Sequence, residues 1–510
     1  MPGPGSLQLA HGVGSQHDLP ISPFYAFAGA FAALFISFLA LGLLWSTSRF
    51  RADRSGLALP AALQRLADAR VTRTALRGLG LAAALFVVLH LLLGPDDPDR
   101  NPAPGAVYVL FWVGLVPASL LLGPVWRLLN PLRTVHALLC RAARRDPKAG
   151  RPLPPRLGMW PAAAGLLAFT WLELAAPEPA STTTLLTFLA AYTAAQLAGA
   201  ARHGDRWFAR GDAFEAYSTL LARLSPFGRR IDGRPGRVSE VPPAPRRPAR
   251  APKLFEQGGP PLAAPAESPS TSGPSTGTSG RHAESTHRLQ TPAAPQRAQG
   301  PPSGRTEGLP THALVLRNPL HGLDATEPAP GLVATVCVML GSTAYDGFSD
   351  APSWINTVQT SALGRTTTAT LGLLGAIALV AALYCLCAGA ARAISGQLPH
   401  PLTAFAHSLV PIALGYLVAH YFTLLVTEGP RTVMVAFGTD NAVAPEPPLD
   451  PGGLATLQVL AIVTGHVLGV VAAHDRSVRL FPPGRAVAGQ LPLLCLMVAY
   501  TVGGLILLLA

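Results

Sequence analysis

The chain has 510 residues, of which 13% are charged and 49% hydrophobic. The charged share is about half the ~25% of an ordinary soluble domain. The apolar share excludes a chain disordered throughout, which needs low hydrophobicity and high charge density. The net charge of +12 suits either nucleic acid or membrane topology, so the positions of the basic residues must decide.

Ten apolar runs have the length of a bilayer crossing, roughly 17–25 residues. They cover 22–45, 76–94, 105–126, 157–176, 182–201, 330–346, 366–391, 402–427, 453–473 and 487–509. The sixth is the shortest and ends on Asp346. No Lys or Arg precedes the first run, and Arg49, Arg51 and Arg54 follow it. That pattern reads as an anchor with the N-terminus outside rather than as a signal peptide. With that orientation, segments 46–77, 127–156, 202–329, 392–401 and 474–486 become cytoplasmic, and they hold 36 of the 39 basic residues. Only Arg100, Arg365 and Arg431 fall outside. Removing one span would swap every later loop and erase the contrast, so the positive-inside rule supports ten spans in a plasma membrane with both termini outside. The basic excess is then a topology signal, and no nucleic-acid partner is expected.

The spans divide into five and five. An outer segment, 1–21, precedes a first membrane half, 22–201. A cytoplasmic segment, 202–329, leads to a second half, 330–510. Within the cytoplasmic segment, about 235–310 is rich in Pro, Gly, Ser, Thr and Ala, a composition that cannot bury enough apolar surface to fold. It reads as a disordered linker open to a cytoplasmic protein partner. Before it, DAFEAYSTLLARL (212–224) starts on an N-cap-like Asp212, and Phe214, Tyr217, Leu220, Leu221 and Leu224 follow helical spacing. This predicts either a short helix along the inner surface or an extension of span 5. Asn130-Pro131-Leu132 and Asn318-Pro319-Leu320 echo one another around the two halves. Asn-Pro commonly initiates turns, and an inverted repeat of the transporter kind is the less favoured explanation. Gly341-Ser342-Thr343 reads as a small-residue packing seam. The five cysteines are too few for a disulfide scaffold.

Ionisable residues inside spans are costly and mark function by default. His420, His90, Glu173 and Asp346 lie toward the outer ends of their spans and form a candidate cluster for a proton or for a divalent first-row metal such as Zn. His407 and His466 form an inner candidate pair. His407 and His420 share a helix but stand about 20 Å and 220° apart, so they cannot hold one ion. No P-loop and no interpretable G-x-S-x-G elbow occurs, so no ATP-driven motor and no serine nucleophile is expected.

Several stretches are similar to a family of actinobacterial multipass membrane proteins commonly labelled hypothetical or fenitrothion hydrolase-like. They include LRNPLHGLDATEPAPG (316–331), GSTAYDGFS (341–349), FAHSLVPIALGYLVAHYF (405–422) and TGHVLGVVAAHDR (464–476). The resemblance covers both halves and omits the linker. It implies hydrolysis of an organophosphate ester by a membrane-embedded protein and brings no catalytic residue with it. The expected fold is all-α and polytopic, with about ten transmembrane helices in two five-helix halves. Three functions remain open: transport or handling of a metal ion or proton, metal-dependent organophosphate hydrolysis, and membrane scaffolding through the linker.

Overall fold

The computed structural model describes residues 23–50, 56–232, 311–396, 400–482 and 484–509. The outer segment 1–21 and the linker 235–310 lie outside the described residues.

The first half contains α1 (Pro23–Leu44), β1 (Leu57–Ala58), α2 (Ala61–Asp68) and α3 (Arg70–Leu93). The third apolar run is built in three pieces: α4 (Pro102–Gly105), a π-helix over Ala106–Val113, and α5 (Leu115–Leu122). Pro117 follows the π segment closely. It cannot donate to the carbonyl four residues back and crowds it, and the helix widens just ahead, where the Gly114 N–H bonds to the Val109 carbonyl at 2.9 Å. Then come α6 (Trp126–Leu129), α7 (Pro131–Ala142), α8 (Trp160–Leu174), α9 (Thr182–His203), α10 (Phe208–Gly211), α11 (Ala213–Leu221) and β2 (Phe227–Asp232). The second half runs β3 (Thr311–Leu316), α12 (Pro319–Asp324), α13 (Leu332–Ser349), α14 (Pro352–Thr360), α15 (Arg365–Ser395), α16 (Pro401–Ala404), α17 (Val410–Ala436), α18 (Pro451–Leu480) and α19 (Ala486–Leu509). A small sheet, in the order β1-β3-β2, is an addition to the all-helical expectation.

The protein is a polytopic α-helical membrane protein. Each of the ten apolar runs is helical, and among the described residues eight helices are long and apolar enough to cross a bilayer. The other two runs are α1 and α8. At fifteen residues, α8 is about 22 Å long, and much of it is enclosed by protein.

The two sequence halves form one compact body. From the first half, α1 packs against α18 and α19, and α8 packs against α13. The most extensive helix–helix packing is between α17 and α18, and glycines allow a close approach. A Cβ on Gly415 would lie 2.5 Å from the Ala461 carbonyl oxygen, and one on Gly465 would lie 2.5 Å from that of Pro411. Small residues at such seams let backbones meet where lipid offers no competing hydrophobic drive. Gly341 is a seam residue too, since its Cβ would fall 2.7 Å from the Ile377 Cα.

Loop contacts follow the alternation of the spans. At one end of the bundle, Asp475 accepts from Ser48 Oγ at 2.8 Å and the Arg49 N–H at 2.6 Å. Arg476 pairs with Asp324 at 3.0 Å, and Arg133 pairs with Glu215 at 2.6 Å. At the other, Arg431 pairs with Asp99 at 2.5 Å, and the Thr182 N–H bonds to Asp96 at 2.7 Å. Asn130 and Asn318 both cap helices that start on proline, accepting from the N–H of Leu132 and of Leu320 at 2.9 Å. The echo is thus a shared capping device, in which Pro at N1 is preorganised and the Asn oxygen satisfies an otherwise orphaned donor.

One expectation is corrected. Rather than lying on the inner surface or extending span 5, α11 turns back into the bundle, and all of its residues but Thr219 are buried. Its apolar face meets Trp112 and Phe169. Its polar face finds internal partners instead of water. Glu215 takes both arms of Arg133 at 2.6 and 2.7 Å. Ser218 meets Ser119 at 2.8 Å, and Asp212 caps the helix while accepting from Asn130 at 3.0 Å.

Candidate functional site

The site forms where α13, α17, α8 and the π-helix converge. Asp346, near the end of α13, is fully buried. One of its oxygens, Oδ2, accepts from the Tyr421 hydroxyl at 2.7 Å and lies 2.8 Å from His420 Nε2, an ion-pair contact whose geometry does not complete a hydrogen bond. Neighbouring residues on a helix point about 100° apart. His420 and Tyr421 nonetheless both approach one oxygen of Asp346.

Glu173, at the end of α8, is buried and is an electrostatic neighbour of Asp346. The Trp112 indole lies beside the Glu173 carboxylate, but neither Trp112 Nε1 nor Glu173 Oε2 completes a hydrogen bond. The π-helix carries Trp112 inward to stack on Tyr217 of α11, ring centres 4.6 Å apart. The buried Tyr217 hydroxyl also lacks a hydrogen-bond partner. One oxygen of this carboxylate and two buried polar atoms near it are therefore unsatisfied among the described residues. Each such group carries a desolvation penalty of roughly 1–3 kcal/mol, which native proteins seldom tolerate without a reason.

The four outer candidates are thus divided. His420 and Asp346 are joined, and Glu173 is beside them. His90 is not part of the group. It stands on α3, which packs mainly on α4, α6, α7 and α9, and its ring bonds to its own helix at the Phe86 carbonyl, 2.9 Å away. Among the described residues, no three His, Cys, Asp or Glu gather as a metal-ligand set.

The inner pair is not brought together. His466 bonds to the Ile462 carbonyl at 2.9 Å and meets Tyr416 edge-on. His407, on the turn Ala406–Leu409, lies at a small pocket shared with Asp324 and Arg476. That pocket is about 10 Å³, the room of a single water. Asp324 binds Arg476 and Arg479 there. Burial alone would raise its pKa, but the Arg479 hydrogen bonds and the two guanidinium charges outweigh it and hold the carboxyl below its usual range.

Tyr421, Trp112 and Tyr217 are the members that a search for charged residues misses. Their signal in the sequence is weak, because polar-tipped aromatics are also ordinary core and interface residues. The π-helix that aims Trp112 is signalled only by the proline after it.

Compared with protein-family models, curated proteins and solved structures, the chain finds no match. The fold and site define its class: a multipass α-helical membrane protein with a buried carboxylate–histidine–tyrosine centre.

Proposed function

We propose that the protein conducts protons across the plasma membrane, alone or coupled to a solute, through Asp346, His420 and Glu173. The observation that carries this reading is the buried Asp346–His420 contact with a second carboxylate, Glu173, beside it. Carboxylate and imidazole chains inside membranes are relays because both accept and release protons near neutral pH. The groups around them are hydroxyl and indole donors. Donors suit a carboxylate that exchanges protons better than a metal, which needs lone pairs from deprotonated ligands. In this reading the basic loops face the cytoplasm and both termini lie outside, in keeping with the charge bias.

The test is proton flux into liposomes holding a pH-sensitive dye under an imposed potential. Wild-type protein should carry flux, and Asp346→Asn should remove it. Flux that is absent from the wild type, or unchanged in the variant, rejects the proposal. Hydrolysis, which the resemblance implies, is a separate reading in which a metal-bound water would attack a phosphotriester. It predicts chelator-sensitive nitrophenol release with added Zn or Mn. A scaffolding role through a cytoplasmic partner predicts that deletion of 235–310 abolishes function, whereas proton flux should survive it.

A further inference from the structure

A second constellation lies away from the proton site, where the chain enters and leaves the linker. Arg223 sits on the turn Ala222–Leu224 after α11, and Arg317 sits between β3 and α12. The two strands of chain are held together there. The Arg317 N–H bonds to the Pro226 carbonyl at 2.7 Å, and the Arg223 carbonyl oxygen lies where a Cβ on Gly322 would be, 2.0 Å away. The Arg317 guanidinium is cradled between two glycines. A Cβ on Gly228 would stand 2.6 Å from its Cζ, and one on Gly322 would stand 2.7 Å from a terminal nitrogen. Any larger residue at either place would displace it.

Neither side chain is satisfied by the protein. Arg223 Nε and Arg317 Nε are both buried without a hydrogen-bond partner. Burial lowers the pKa of both, and the adjacent Arg223 charge lowers that of Arg317 further. Guanidinium does not deprotonate in proteins, so the cost must be met by a counter-charge. Among the described residues, the acids do not provide it. Asp324 is engaged by Arg476 and Arg479. Glu327, whose charge acts on Arg223, is exposed and pairs with Arg210 at 3.7 Å.

We propose that Arg223 and Arg317 form a binding site for a phosphate-class anion, either free phosphate or the phosphate of an anionic lipid headgroup. Two neighbouring guanidinium forks offer several N–H donors to one tetrahedral oxyanion, the geometry that makes arginine the preferred residue for phosphate. The glycine cradle fixes one fork in advance, which lowers the ordering cost of binding.

The experiment uses the full chain. In detergent, thermal stability and calorimetric binding are measured with inorganic phosphate against chloride at matched ionic strength. In nanodiscs, native mass spectrometry compares retention of phosphatidylglycerol with that of phosphatidylcholine. Phosphate should stabilise the wild type if the source is soluble, and phosphatidylglycerol should be retained if it is a lipid. Arg223→Gln and Arg317→Gln should each weaken the effective anion at least tenfold, and Arg317→Lys by less. Arg65→Gln, at an exposed arginine bonded to its own helix, should change nothing. A wild type that prefers neither phosphate over chloride nor phosphatidylglycerol over phosphatidylcholine overturns the proposal, whether or not the Gln variants fold. Equal binding by a folded double Gln variant overturns it as well.

Discussion

Two pairs of buried carboxylates, Asp212 with Glu215 and Asp346 with Glu173, are built differently. Asp212 and Glu215 of α11 are fully engaged. Glu215 is held by both arms of Arg133, while Asp212 caps a helix and accepts from Asn130. Asp346 and Glu173 have a histidine and a ring of hydroxyl and indole groups, with part of the surrounding bonding incomplete. The first arrangement locks a polar helix face inside the bundle. The second keeps two acids near each other beside a histidine, where a proton is the natural counter-charge. A buried acid by itself therefore says little about function, and the completeness of its partners says much more.

Four experiments break or sharpen this contrast, in order of expected size. Arg133→Met should destabilise the protein by about 3–5 kcal/mol, because it leaves the Glu215 carboxylate buried and uncompensated. Thermal unfolding in detergent measures this, and adding Glu215→Met should recover most of the loss. A small effect would mean that the α11 network is not a lock. Asp346→Asn should lower proton flux at least a hundredfold, about 2.7 kcal/mol in barrier, with a smaller change in unfolding temperature. The reverse pattern, intact flux with lost stability, would make Asp346 structural.

The third experiment is a pH titration. Burial, reinforced by the Glu215 charge, pushes the Asp212 carboxyl up to about 6, although hydrogen bonds from the Glu215 N–H and Asn130 oppose it. Because its folded pKa is raised, its stabilising contribution is full below the unfolded value near 4. That contribution is lost as pH rises through about 6. Unfolding temperature should therefore rise as pH falls from 7 to 4.5, by the equivalent of about 2 kcal/mol, and Asp212→Asn should flatten that slope. An equally steep slope in the variant would assign the titration elsewhere. The smallest effect is Ser218→Ala, which strands the Ser119 hydroxyl in a buried place and should cost about 1 kcal/mol in the same unfolding assay.

Much of the architecture is legible before folding. All ten apolar runs are helices close to the expected bounds, because a bilayer dictates both length and apolarity. The candidate site was legible in part. His420, Asp346 and Glu173 stand out since any ionisable group in a span is conspicuous, and the structure joins the first two directly. His90 looked equivalent in type and depth, yet it turns to the Phe86 carbonyl of its own helix. Periodicity gives a residue's direction within one helix, and the packing of α3 against other helices decides what that direction meets.

The helix 212–224 teaches the same lesson from the other side. Its amphipathic pattern was correct as local structure, but Asp212, Glu215 and Ser218 suggested water. They face Asn130, Arg133 and Ser119 instead, and those partners lie more than eighty residues earlier in the chain. The sequence by itself determined where the apolar helices lie, eight of them, among the described residues, long and apolar enough to cross a bilayer, the caps at Asn130 and Asn318, and the charge bias of the loops. Hydrophobic length, local hydrogen bonding and net charge are properties of contiguous residues. Only the tertiary structure decided that α1 joins the second half, that α11 turns inward, and which acids meet a cation, a histidine or neither. Those outcomes depend on which helix faces are brought within a few ångströms of one another, and distant segments settle that together.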